Sequence, residues 1–156
     1  MNFFLISQVF YPDEVSTANF FTKLCSTLAN DENIKVKVLF AQPSYSTIKR
    51  QPKYLMHNNA DIQFLASTNF KKDFLIGRLI NYLTFTLTVA LKLLFTKDRT
   101  PIFTHTTPPS LGIILAFICK LKRRRFNYIL LDIFPDGLVR LGRMTHNGLI
   151  VRLWRN

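Results

Sequence analysis

The chain has 156 residues, of which 48% are hydrophobic and 13% aromatic, so it is long and apolar enough to bury a core. This composition excludes an intrinsically disordered chain, and only 5 glycines, with no G-x-G-x-x-G or Walker pattern, argue against a glycine-rich nucleotide loop. The formal net charge of +12 indicates a polyanionic partner: nucleic acid, an anionic membrane or a phosphorylated substrate.

The chain begins with a predicted strand, loop and helix. Residues 2–7 are apolar but have no basic start and soon turn polar, so they predict a buried strand rather than a secretory signal. Residues 8–15 predict a loop and Ser16 the N-cap of a helix over residues 17–30. The apolar face of that helix is expected to carry Phe20, Leu24 and Leu28.

The middle of the chain alternates strands with one long helix. Residues 34–40 and 61–67 predict two strands, and the polar stretch 41–59 between them predicts a loop. Residues 74–95 predict a helix with a narrow polar stripe on an otherwise apolar surface. Because charged and amide residues interrupt the apolar run, we expect a crossover helix packed on the sheet, with part of its remaining face against a membrane, rather than a membrane span.

The last third adds two strands. Residues 101–104 predict a strand, and a helix over 111–121 follows, started by the prolines or by Ser110. Residues 126–131 are apolar and end abruptly in acidic residues, as a buried parallel strand does. Two short helices are expected beyond them, over 138–144 and 149–154.

The alternation of strands and helices predicts an α/β fold. We expect one Rossmann-like, doubly wound domain over residues 1–156, with right-handed crossovers and a mostly parallel sheet of at least five strands. Cys25 and Cys119 lie far apart in apolar helical contexts and are expected to be buried free thiols. Zinc needs about four clustered ligands. The histidines are scattered, so no metal site is expected.

Basic residues cluster before the long helix and after the third one. Cations at a helix C-terminus stabilise it, which is one explanation of the second cluster. Five cations in the six residues 120–125 exceed what capping needs, and we expect them to bind an anionic membrane surface. No helix-turn-helix or RNA-binding aromatic motif accompanies the charge, so nucleic acid is not an expected partner. The predicted membrane-binding residues are Lys71, Lys72, Lys120, Lys122, Arg123, Arg124 and Arg125.

Three loops are expected to meet at the carboxyl edge of the sheet, where α/β proteins bind ligands. They are Phe10-Tyr11-Pro12-Asp13, Thr106-Thr107-Pro108-Pro109 and Asp132-Ile133-Phe134-Pro135-Asp136. In this order the motifs resemble the N-terminal, acceptor-side half of family 4 glycosyltransferases, which are retaining enzymes of the GT-B fold. The resemblance is closest to the bacterial branch that makes O-antigen, capsule and exopolysaccharide.

The resemblance implies transfer of a sugar from a nucleotide sugar to a lipid-linked saccharide, at the cytoplasmic face of the bacterial plasma membrane and with no other cofactor. The implied substrate-binding residues are Pro12, Asp13, Ser16, Thr106, Thr107, Asp132 and Asp136. His105 is the candidate catalytic residue, and the alternative is a hydrogen-bonded loop residue at a strand end. Asp132 and Asp136 are alternatively a loop cap and the start of a turn.

The chain departs from the family pattern in two ways. Many members carry Gly-Gly in the first loop, where this chain has Glu14-Val15-Ser16-Thr17. The family also binds its nucleotide sugar mainly in a C-terminal domain with a Glu-x7-Glu motif, which we expect to be absent from these 156 residues. We therefore expect the chain to be inactive alone and to need a separate C-terminal glycosyltransferase subunit. The alternative is a noncatalytic membrane-associated scaffold or a truncated remnant.

Overall fold

The structure is a computed structural model, and it describes residues 2–43, the backbone of 54–57, residues 59–70 and 75–131, and the single positions 139, 142, 145 and 148. This part of the chain contains strands β1 (Asn2–Ser7), β2 (Lys35–Ala41), β3 (Tyr54–His57), β4 (Ala60–Leu65), β5 (Ile102–His105) and β6 (Phe126–Ile129). It also contains helices α1 (Ser16–Ala29), α2 (Leu75–Phe95) and α3 (Pro109–Lys122). The predicted short helices over 138–144 and 149–154 lie outside the described residues, apart from single positions in the first.

The strands form one sheet in the order β3-β4-β2-β1-β5-β6. Neighbouring strands from β4 to β6 pair in parallel, and β3 pairs antiparallel with β4 at the edge. Among the parallel strands the chain order runs 3-2-1-4-5, which is the order of Rossmann-type sheets. The predicted α/β class with a mostly parallel sheet is confirmed, and the strand order reverses between β1 and β5.

Helices cover both faces of this sheet. Successive side chains of β1 point to opposite faces, so Phe3 and Leu5 join the core beneath α1 while Phe4 and Ile6 join the core beneath α2 and α3. A strand buried on both faces must be apolar at every position, which is why β1 was visible in the sequence as a continuous apolar run.

The predicted loop over residues 41–59 is wrong in its last part. Tyr54–His57 forms β3 and pairs with Ala60 to Gln63 of β4. Only Asn58 and Asn59 separate the two strands, and asparagine favours the tight turns that join hairpin strands. A four-residue edge strand has too few positions to show the alternation by which strands are recognised.

The predicted start of α1 is off by one residue, and its predicted apolar face is buried only in part. The N-cap is Val15, with no side-chain capping bond, and Ser16 is the first helical residue. The buried face carries Phe21 and Cys25, the predicted Leu24 and Leu28 pack partly buried against the same core, and Phe20 is 44% exposed. Residues 20 and 21 are neighbours on the helix surface, and spacing alone does not tell which of two adjacent apolar rows meets the sheet.

The two cysteines are buried free thiols, as predicted. Burial raises the pKa of Cys25 to about 11, so this thiol stays protonated and behaves as a small apolar side chain.

Helix α3 ends in a left-handed residue that is not glycine. Arg123 has φ 53° and ψ 43°, and its amide and the Arg124 amide bond back to the carbonyls of Lys120 and Cys119. Glycine is the usual residue at this position, since a side chain in the left-handed region costs about 1–2 kcal/mol.

We therefore expect Arg123→Gly to raise the free energy of unfolding by about 1 kcal/mol, because glycine adopts the same backbone without that cost. Urea unfolding followed by circular dichroism measures the change. Arg125→Gly is the control. Arg125 has no positive φ, so glycine there should lower stability by about 0.5–1 kcal/mol. A loss of stability in Arg123→Gly would contradict the strained-cap explanation.

Candidate functional site

The crevice between β1 and β5 lies where the strand order reverses, which is where open α/β sheets bind ligands. The backbone register between these strands pairs Leu5 with Phe103. One residue further along, the Thr104 hydroxyl donates to the carbonyl of Ile6 at 3.0 Å. Side-chain bonds thus continue the attachment of β5 to β1 towards their carboxyl ends.

The last residues of the two strands, Ser7 and His105, form a buried hydrogen bond with 2.8 Å between Ser7 Oγ and His105 Nε2. The Thr107 amide donates to His105 Nδ1 at 3.2 Å, so that nitrogen is the acceptor and Nε2 carries the proton. His105 therefore donates to Ser7, whose hydroxyl donates in turn to the carbonyl of Val9 at 2.9 Å.

This direction of hydrogen bonding excludes one familiar kind of chemistry. A histidine that activates a serine accepts the serine proton, whereas here the imidazole donates to the hydroxyl. Burial also lowers the pKa of His105 to about 4, so the ring is neutral at pH 7. The ring packs on Phe21 of α1, with 4.5 Å between the centroids.

Both ring nitrogens of His105 are engaged and the side chain has no exposed surface. In this arrangement it is a positioning residue that ties the loop after β5 to the end of β1. His105 is thus the last residue of β5 with both ring nitrogens hydrogen-bonded, and its catalytic role stays a prediction.

The loop after β1 is anchored on both sides. Phe10 stacks on Phe40 of β2, with the centroids 4.0 Å apart and the ring planes nearly parallel at 8°. The amide of Tyr11 donates to Thr22 Oγ1 of α1 at 3.1 Å, and the Asp13 amide donates to the carbonyl of Phe10 at 2.9 Å.

The predicted substrate residues of this loop differ in accessibility. Pro12 and Asp13 are buried, whereas Ser16 is exposed at the start of α1. Thr106 and Thr107 of the second loop are half-buried. The structure thus brings the first two predicted loops to one edge, and it leaves Ser16, Thr106 and Thr107 accessible there. Asp132 and Asp136 of the third loop lie outside the described residues.

Two helices begin at this edge without side-chain caps. The N-caps of α1 and α3 are Val15 and Pro108, neither makes a side-chain capping bond in the described structure, and neither first turn contains an acidic residue. The amides of the first turn of α1 and its positive dipole end favour an anion. Helix α3 offers fewer amides, since Pro108 and Pro109 have no N–H and the Leu111 amide donates to the Pro108 carbonyl at 3.0 Å. The sequence analysis missed this feature because it assigned the cap of α1 to Ser16.

Among the residues that the structure describes, no group of three or more His, Cys, Asp or Glu side chains could hold a metal ion. The described residues of this edge offer hydroxyls, backbone amides and helix dipoles, beside the carboxylates of Asp13 and Glu14. No protein-family model and no curated protein matches this sequence.

The basic tract at 120–125 divides into two groups. Arg124 is only 7% exposed, and its Nη2 donates to the carbonyl of Thr96 at 2.9 Å. Lys122 Nζ donates to the carbonyls of Leu94 and Thr96. These two side chains bind the C-terminal end of α2. The other three tract residues, Lys120, Arg123 and Arg125, are exposed, and Lys71 and Lys72 lie outside the described residues.

Asparagine and threonine side chains of α2 point into the protein, whereas Arg78 is exposed. Asn81 is buried, and its Oδ1 accepts hydrogen bonds from Thr68 Oγ1 at 2.8 Å and from the Phe70 amide at 3.0 Å. About two turns along the helix, the Thr88 hydroxyl donates to the carbonyl of Ala66 at 2.9 Å. Asn81 and Thr88 of the predicted polar stripe are thus hydrogen-bonded to the segment that follows β4.

The apolar side chains of α2 and α3, in contrast, form an exposed surface that we call the apolar face. On α2 it carries Leu75, Ile76, Leu79, Ile80, Leu83, Leu87, Leu91, Leu94 and Phe95. On α3 it carries Ile113, Ile114, Phe117 and Leu121. By length and composition α2 could cross a membrane, and 33% of its most apolar stretch is buried inside the protein. A contiguous apolar surface rimmed by polar residues marks an interaction site.

The buried histidine makes stability depend on pH. The folded pKa of about 4 lies below the ordinary value of 6.5, so unfolding takes up a proton between these two values. We expect this histidine to remove about 2–3 kcal/mol of the free energy of unfolding between about pH 7.5 and about pH 4.5. The variant His105→Gln should lack this share of the loss.

Urea unfolding of both proteins at the two pH values measures the effect. Carboxyl groups also titrate in this range, so the informative quantity is the difference between the two proteins in their pH dependence. An equal pH dependence in both would contradict a buried neutral His105.

Proposed function

We propose that this chain is the acceptor-side domain of a retaining glycosyltransferase of the GT-B type, which positions a lipid-linked saccharide at the cytoplasmic face of a bacterial plasma membrane. One observation carries the proposal. The loops that bear Phe10-Tyr11-Pro12-Asp13 and Thr106-Thr107-Pro108-Pro109 follow β1 and β5 and are held together at the switch point by the bond between Ser7 and His105.

The chemistry of the proposed reaction fits an edge made of hydroxyls and amides. A sugar transfer with retention needs the acceptor hydroxyl held on the same face of the donor sugar as the departing diphosphate. Orientation of this kind can contribute about 7–11 kcal/mol to lowering the barrier. In the proposal the hydroxyls of Ser16, Thr106 and Thr107 bind the acceptor saccharide, with Asp132 and Asp136 close by.

Anionic groups of the substrates have a place at the same edge. The acceptor carries a diphosphate and the donor loses one, and preorganised amides stabilise such charge when they are aimed at it. The start of α1 supplies amides of this kind, and the start of α3 adds its positive dipole end. The nucleotide-sugar donor would be held by a second, C-terminal type of domain that closes over this edge and excludes water.

The apolar face supports the membrane part of the proposal. Lipid-linked acceptors sit in the bilayer, and an enzyme that uses them must reach its surface. Leucine and phenylalanine side chains that lie in the boundary between headgroups and acyl chains hold a helix parallel to the membrane. The exposed cations Lys120, Arg123 and Arg125 would add contacts with anionic headgroups, each worth about 1 kcal/mol.

The packing of α2 favours this interfacial position over a spanning one. Its side chains Phe85, Val89 and Leu93 are buried in the core shared with α3 and the sheet. Its Asn81 is bonded to the segment after β4. A spanning helix would lose both sets of contacts, whereas an interfacial helix keeps them.

The acceptor site is tested with a short-chain polyprenyl diphosphate that carries one N-acetylhexosamine. We expect its binding to shift the backbone NMR signals of Ser16, Thr106 and Thr107. Thr106→Ala and Thr107→Ala should each weaken binding about 3- to 10-fold, the effect of one hydroxyl hydrogen bond.

The control is Thr27→Ala, which removes an exposed hydroxyl near the other end of α1 and should leave the affinity unchanged. Equal affinity of all three variants, or shifts confined to other parts of the chain, would reject the site. The purified chain alone is expected to transfer no sugar from nucleotide donors, and transfer would contradict the need for a second domain.

Membrane binding is tested by flotation with vesicles. Leu87→Gln and Phe117→Gln should each lower the partition coefficient roughly tenfold, because each removes a large apolar side chain from the lipid contact. Phe20→Gln is the control. It removes an exposed phenylalanine from α1, which packs on the opposite face of the sheet. We expect no change from it.

High salt should weaken binding to anionic vesicles without abolishing it, since part of the contact is apolar. Equal loss in Phe20→Gln, or no binding by the unmodified chain, would show that the apolar face does not bind lipid.

A further inference from the structure

A cavity of about 290 Å³ lies at the edge of the sheet opposite the candidate site. Residues 97–99, which precede β5, and residues 121–124, at the end of α3, line it. Both segments come before strands, so the cavity lies at the amino ends of β5 and β6. It shares no residue with the loops at the carboxyl edge.

The cavity is strongly positive. Its lining contains one carboxylate, Asp98, and the five cations Lys97, Arg99, Lys122, Arg123 and Arg124. The C-terminal ends of α2 and α3 each add about half a negative charge. A net charge of about +3 therefore remains in one small concave site.

The fold accounts for only part of this charge. Lys122 and Arg124 bind the terminal carbonyls of α2. Asp98 accepts from the Thr100 amide at 2.9 Å and pairs with Lys37 at 3.4 Å, so its charge is directed to those groups. For the remaining three cations, the described part of the chain offers no hydrogen bond or ion pair.

Arg123 is kept in the cavity wall although its backbone favours glycine. Its φ of 53° is the one positive φ of a non-glycine residue in the described chain. Such outliers cluster at ligand-binding sites because the side chain has a use there. Arg123 is therefore a candidate ligand residue of the cavity.

Arg124 gives a second indication of an anion. Its Nε and Nη1 are buried and have no hydrogen-bond partner among the described residues. Its guanidinium carbon lies 6.0 Å from the centre of the Phe4 ring, in apolar surroundings that lower its pKa. A negative charge in the adjoining cavity would offset the cost of this desolvated cation.

We propose that this cavity binds a phosphate group, with Arg123 and Arg99 as its main ligands. Guanidinium groups bind phosphate oxygens in pairs, and a phosphate carries enough negative charge to match the excess in the site. The phosphate of an anionic lipid headgroup fits best. Leu121 lines the cavity and also belongs to the apolar face, so an acyl chain can leave the cavity along that face. The site does not depend on the proposed sugar transfer.

The test uses the full chain and three soluble probes at constant ionic strength: inorganic phosphate, dihexanoyl phosphatidic acid and dihexanoyl phosphatidylcholine, the lipids as monomers. Backbone NMR signals of residues 97–99 and 121–124 should shift and saturate with the first two probes. Tighter binding of phosphatidic acid than of phosphate identifies a lipid headgroup, and equal binding identifies free phosphate. Phosphatidylcholine, whose phosphate is neutralised by its own cation, should bind weakest.

Arg123→Gln should weaken phosphatidic acid binding about tenfold, the effect of one charge-assisted contact, while keeping the left-handed backbone. Arg125→Gln removes the same charge two residues away, outside the cavity lining, and should change affinity less than about twofold. Arg123→Gly also removes the cation, in a variant that is expected to be at least as stable as the unmodified chain, and it should weaken phosphatidic acid binding to a similar degree. Equal effects of the substitutions at 123 and 125, or no saturable binding of either phosphate or phosphatidic acid, would overturn the proposal.

Discussion

A sheet covered by helices on both faces is the constraint from which the rest of this molecule follows. Most residues of the central strands must then be apolar, as in Phe3 to Ile6 of β1, while Lys35 and Lys37 are exposed near the amino end of β2. Polar groups are left to the two edges of the sheet and to the helices. The carboxyl edge of the sheet carries the switch-point loops held by Ser7 and His105, and the amino edge carries the cationic cavity. The two candidate sites are therefore separated by the full length of the strands.

Helix α2 meets this constraint in an unusual way. A helix on the surface of a soluble protein buries its apolar stripe and exposes its polar one. Here the buried part includes Asn81 and Thr86, and leucines such as Leu83 and Leu87 are exposed. The segment after β4 has no strand partners for its amides and carbonyls, and the polar stripe of α2 supplies them. The buried side of α2 thus combines core residues such as Phe85 and Val89 with polar residues, and a second set of apolar residues remains exposed.

The sequence was sufficient to predict the helices and strands that show a clear apolar pattern. Strand β1 and helix α2 lie within one residue of their predicted bounds, because both are long apolar runs. The edge strand β3 was missed, since four residues carry too little pattern. The convergence of the loops after β1 and β5 follows from strand order and was predictable. The roles of single side chains were not: Arg124 in a basic tract is buried, and His105 at a loop is enclosed, because each depends on a carbonyl or a ring far away in the chain.

The outward leucines of α2 and α3 also govern how the molecule behaves in water. The hydrophobic effect acts on that surface whether or not lipid is present, and in buffer the same side chains are best hidden against a second copy of themselves. Lipid and self-association then compete for one surface. We therefore expect the oligomeric state of the purified chain to depend on the amphiphile around it, with a monomer in detergent and an oligomer in buffer as two states of the same fold.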